Sequence, residues 1–154
     1  MRTFSVPSVL SVLSVLLWSC SGDELGLDGT PGSYVVTADC TGAETFVEGM
    51  EVTSTGGYIV ALASASPAPP DVGDNTWTLQ IRTTDGPATG LEVRLRPWMP
   101  LHGHGLSPAT YAGTEVSDGT YDIEMFDVIM PGLWEFKVEI GEGDEAVFPL
   151  CAAG

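Results

Sequence analysis

The sequence predicts an all-β domain, an immunoglobulin-like antiparallel β-sandwich of about seven to eight strands. Apolar and polar residues alternate with a period of two over most of the chain, and no long stretch carries a helical stripe. Breaks rich in Gly and Pro recur between the alternating runs, at the spacing expected of short strands in two packed sheets.

Taken in order, strands are expected at residues 34–39, 46–53 and 58–65, the last two separated by Thr55-Gly56-Gly57. A long polar break over residues 66–75 follows. Trp77, Leu79 and Ile81 then alternate with Thr78, Gln80 and Arg82, and, past Asp85-Gly86-Pro87, Leu91, Val93 and Leu95 alternate with Glu92, Arg94 and Arg96. Such runs put one face on a core and the other in water. Further strands are expected at residues 119–130, at 134–140, where Trp134, Phe136, Val138 and Ile140 alternate with charged residues, and at 146–150.

The N-terminus predicts export. Arg2 precedes an uncharged, Val- and Leu-rich stretch too short and too diluted by serine to span a bilayer of roughly 30 Å, so it reads as a processed signal. The stretch closes on Leu17-Trp18-Ser19-Cys20, which resembles a bacterial lipobox and implies cleavage before Cys20 and lipidation of that cysteine. Residues 1–19 are thus expected to be a lipoprotein signal peptide, residues 20–32 a Gly- and Pro-punctuated tether, and residues 33–154 one domain with one core. The lipid would be the only membrane attachment, in the cell envelope. Ser21 after the cysteine, where an acidic residue would favour inner-membrane retention, points to the outer membrane.

Without Arg2, the four cations Arg82, Arg94, Arg96 and Lys137 stand against 21 carboxylates, a formal charge of −17. Nucleic acid is therefore no partner for this surface, whereas metal cations and basic proteins are favoured. Setting Cys20 aside leaves Cys40 and Cys151, an even pair in an oxidising compartment, and a disulfide between them is expected to staple the domain's two ends. The alternative use of Cys40 is as a thiolate copper ligand.

Both histidines lie in Pro97-Trp98-Met99-Pro100-Leu101-His102-Gly103-His104-Gly105. In an extended backbone His102 and His104 project to the same side, and with Met99 they form a soft to borderline ligand set. That set suits Cu(I), with Cu(II) or Zn(II) tolerated through the imidazoles. Met130 and Met125 are further candidate ligands, if the turn that holds Met130 shares an end with the His loop; the other role for Met125 is core packing. An enzyme is not expected. Ser107 or Ser117 with Asp118 makes no Gly-x-Ser-x-Gly elbow, and the chain has no phosphate loop and no Cys-x-x-Cys.

The segment Trp98-Met99-Pro100-Leu101-His102-Gly103-His104-Gly105, followed by Val128-Ile129-Met130-Pro131-Gly132-Leu133-Trp134, resembles the YtkA-like (FixH-related) domain family. Met99, Pro100, Gly103, His104 and Gly105 match its first motif, and Met130, Pro131, Gly132 and Trp134 its second. The resemblance implies an exported immunoglobulin-like domain, often a lipoprotein, associated with copper handling or with assembly of copper-containing respiratory complexes. His102 stands where many relatives carry methionine, which makes the ligand set harder and less exclusively one for Cu(I). A copper-accepting envelope protein would be the partner. The other expectation the residues support is a non-catalytic interaction module without metal.

Overall fold

The structure is a computed structural model that describes residues 38–154; the expected signal, Cys20, the tether and most of the strand at 34–39 lie outside the described residues. Ten strands and no helix are found there: β1 Glu51–Thr53, β2 Ile59–Ser66, β3 Gly73–Thr83, β4 Gly86–Pro87, β5 Val93–Met99, β6 His104–Gly105, β7 Tyr111–Ser117, β8 Thr120–Val128, β9 Gly132–Ile140 and β10 Asp144–Ala152.

Hydrogen-bonded neighbours follow the order β1-β2-β3-β8-β7-β5-β9-β10, every pair antiparallel, with β4 beside β3 and β6 beside β5. The run β2-β3-β8-β7 is one layer and β5-β9-β10 the other, which is the strand order of a constant-type immunoglobulin sandwich. The layers are joined by the short β7–β5 pairing, and β1 reaches β10 on the far side, so the sandwich is nearly closed.

The alternation read from the sequence is the alternation of burial. On β9, Gly132, Trp134, Phe136, Val138 and Ile140 are buried and the residues between them half-buried. Trp77 of β3 fills the space between layers, with ring centroids 4.8 Å from Phe136 and 6.1 Å from Phe148 across the core, and 5.7 Å from Phe126 in its own layer. Its indole N–H finds no acceptor, a cost of about 1–3 kcal/mol that burial of so large a ring offsets.

Three expectations change. The strand at 46–53 shrinks to Glu51–Thr53, because residues 47–50 turn, with the Met50 N–H on the Val47 carbonyl and Gly49 at φ +79°. The strand at 119–130 ends at Val128. Strand β7 was not foreseen: its inward positions are Tyr111, Gly113 and Glu115, so it shows no apolar period. Gly113 makes room there, since a Cβ would stand 3.0 Å from Val93 Cβ and crowd that side chain.

The end of the sandwich that holds the β1–β2 turn is latched by Asp144. Its carboxylate accepts from the Ser54 and Thr55 hydroxyls at 2.9 and 2.8 Å and from the Gly56 N–H at 2.6 Å. Partial burial alone would raise its pKa, but the Gly56 N–H and the two hydroxyls outweigh that and hold it below the ordinary value of 3.8. The latch therefore contributes fully above the unfolded value and is lost as pH falls through the lower folded one. Asp144→Ala is expected to cost about 1–2 kcal/mol at pH 7, with the difference in urea midpoint from the wild type shrinking as the pH is taken below 3.8.

Candidate metal centre

At the opposite end, β5 and β6 form a hairpin closed by residues 100–103. Met99 pairs with His104 and Trp98 with Gly105. The His102 and Gly103 N–H groups both donate to the Met99 carbonyl, at 3.2 and 2.9 Å, and Gly103 takes φ +67° to let the chain return. Directly opposed residues of an antiparallel pair share a face, so the Met99 and His104 side chains stand on one side.

His104 is half-buried and its ring packs edge-on to Trp134, centroids 6.1 Å apart at 74°. Its Nδ1 lies 3.1 Å from the Gly105 carbonyl. A carbonyl only accepts, so this contact is a hydrogen bond when Nδ1 carries the proton, the tautomer that leaves Nε2 for an ion. The exposed ring of His102 lies 5.8 Å from that of His104. Two imidazoles bound to one ion through nitrogens at about 2.0 Å hold their centroids within about 6.5 Å, so this spacing is compatible with a shared ion. The reason differs from the expected one: the rings approach across a turn, not along an extended strand.

The second motif meets the first here. Trp134 is fully buried and donates its indole N–H to the Met130 carbonyl at 3.0 Å. Met99 is buried, and its ε-methyl closes on Gly132: a Cβ on that residue would stand 2.6 Å from it, and Gly132 has φ +133°. Gly132→Ala is expected to destabilise the domain by about 1–3 kcal/mol and to displace Met99, read as a lower urea midpoint. Thus the structure brings Met99, His102, His104 and Met130 to one end, with Met130 half-buried against the core.

Met125 is not among them. Between the pairs Asn75↔Phe126 and Trp77↔Ile123, β8 holds one residue more than β3, and this bulge turns Met125 out, 57% exposed, on the far face of the other layer. It neither fills the core nor faces the histidines.

Cys40 and Cys151 are paired, with Cα atoms 5.4 Å apart and a sequence separation of 111. They sit at the same end as the His loop, because Cys151 is opposite Leu133 and the Asp39 carbonyl accepts the Leu133 N–H at 2.9 Å. Sequence reasoning missed this proximity and the bridging place of Trp134; only the paired order of the two motifs hinted at the second. Ser117 and Asp118 lie in the β7–β8 turn, at the other end from both histidines.

Among the described residues no three His, Cys, Asp or Glu side chains cluster as metal ligands. Any ion at this end would be held by two imidazoles, with thioethers for further donors. No curated protein and no solved structure matches the chain. The model of the YtkA-like family matches residues 48–139, from just before β1 to the penultimate residue of β9 and including both motifs, while Cys40 and Cys151 fall outside the match. With more than half of its length matched, the chain belongs to the YtkA-like family.

Proposed function

We propose that this chain is an exported lipoprotein, anchored through Cys20, that binds copper at the His102–His104 loop and buffers it, delivers it or supplies it to a copper enzyme under assembly. Cu(I) is the preferred ion and Cu(II) the alternative, with Met99 and Met130 as thioether donors beside the imidazoles. The supporting observation is the 5.8 Å ring separation, with His104 Nδ1 turned to the Gly105 carbonyl and so Nε2 the nitrogen available to an ion. Thioethers serve well in an oxidising compartment, where the two cysteines of the domain are used as a staple. The partner is a copper-accepting envelope protein, and the reading involves no catalysis.

A second reading, a protein-interaction sandwich without metal, is favoured by the burial of Met99, 1% exposed and enclosed by Gly132. On the copper reading the hairpin must shift to offer that sulfur, a rearrangement of the kind that metal binding drives. Competition of the purified protein against a chromophoric Cu(I) chelator separates the two. One equivalent withdrawn from the chelator is expected, and no withdrawal leaves the interaction module.

A further inference from the structure

A different corner of the molecule carries a docking surface. Of the large apolar residues most exposed among the described residues, Val72, Met125 and Ile129 stand on the outward side of the β3–β8 layer. The register brings them to one corner: Asp74 pairs with Asp127 and Gly73 with Val128, the last pair of the ladder, and Val72 and Ile129 are the residues that flank it. Burial alternates along both strands, and Gly73 and Val128 turn inward or toward the edge while Val72, Asp74, Asp127 and Ile129 face out. The bulge adds Met125 and Glu124 to the same surface.

Its electrostatics are one-sided. Asp74 and Asp127 are directly opposed like charges, an arrangement that destabilises a strand pair. Every Lys and Arg of the described residues is paired elsewhere: Arg82 with Glu51, Arg94 with Glu92, Arg96 with Glu139 and Glu145, and Lys137 with Glu135. Among the described residues no cation neutralises the pair. The adjacent Tyr111 hydroxyl feels this field, its pKa raised first by burial and then by Asp127 and Glu124.

An apolar patch beside two uncompensated carboxylates fits a surface with an apolar centre and a cationic side chain at its rim, and it repels an anionic lipid surface. We propose that Val72, Met125 and Ile129, with Asp74 and Asp127, dock a protein partner that places an arginine or lysine between the two aspartates. This interface is independent of the copper reading. It gives Met125, which the fold keeps from the His loop, a place in recognition.

The test uses the full chain in the cells that make it, with a photo-cross-linking amino acid in place of Ile129 or, as control, of the equally exposed Val116 toward the other end of the layer. A discrete protein adduct is expected from position 129 and not from 116, mapped to a partner peptide carrying Lys or Arg. In an Asp74→Asn/Asp127→Asn background it should fall at least about five-fold, as loss of a charge-assisted contact requires. The same double variant, purified, should melt roughly 2 °C higher because the repulsion is gone. Adducts with lipid or with a second copy alone, an adduct no stronger than at 116, or one indifferent to the double variant would overturn the proposal. So would a lower melting temperature in the double variant, or a rise in wild-type melting temperature with millimolar calcium that the double variant lacks, which would make the pair a cation site.

Discussion

Replacing His102 and His104 together by alanine is expected to lower the Cu(I) affinity of the domain by more than about 100-fold while leaving its unfolding midpoint within experimental error. The magnitude follows from ligand chemistry, since removing even an outer partner of a metal ligand costs 10–100-fold and this change removes both nitrogen donors. Stability should hold because His102 is exposed and His104 only half-buried, and neither belongs to the core. The hairpin itself is closed by backbone bonds to the Met99 carbonyl and by Gly103, which the substitutions leave in place. The singles should differ in character. His104→Ala also removes the ring that packs on Trp134, so its loss should alter the indole emission in the absence of metal, whereas His102→Ala should not. Chelator competition on the three variants, alongside fluorescence, checks all of this. An unchanged affinity in the double variant would move any copper site away from this loop.

The Cys40→Ser/Cys151→Ser variant is expected to lose about 4.7 kcal/mol of stability, the loop-entropy value for a closure of roughly this length. The 111-residue separation makes the staple nearly as long as the domain. The bridge also holds the segment before β1 across the second layer. There the Asp39 carbonyl accepts from Leu133, the Glu44 N–H donates to the Pro149 carbonyl at 2.7 Å, and Glu44 makes a parallel bridge to Leu150. Released, that segment no longer borders Gly132, so proteolysis near residue 40 should accelerate before the sandwich unfolds. Urea unfolding of the oxidised protein against the variant measures the loss. A difference under about 1 kcal/mol would mean that the segment's own hydrogen bonds suffice, well below the usual cost of losing a native disulfide.

Much of the architecture was legible because strand alternation is a local property. A period of two in Trp77–Ile81, Val93–Leu95 and Trp134–Ile140 identifies both the strands and their buried faces from neighbouring residues alone, although Leu91, read into the second of these, lies before its strand begins. The expectation failed where a strand does not bury apolar side chains. Gly113 and Glu115 occupy inward positions of β7, and space beside Val93, not hydrophobicity, selects the glycine. It failed again at Met125, whose place in the sequence continues the inward phase of Tyr121 and Ile123 until one extra residue on β8 reverses it.

By itself, then, the sequence determined that this chain is a β-sandwich, which faces of its main strands are buried, and that its histidines share a glycine-hinged loop with Met99, while it left Cys40 between a bridge to Cys151 and a copper ligand, a choice the structure makes for the bridge. Only the tertiary structure decided which distant segments meet. The β5–β9 register carries Met99 and His104 to Gly132, Trp134 and Met130, and the β3–β8 register carries Asp74 to Asp127 and Met125 away from the histidines. Alternation depends on residues one or two apart, whereas register between strands tens of residues apart depends on how whole layers pack. One bulged residue, which leaves no mark in composition, was enough to divide the methionines between two surfaces.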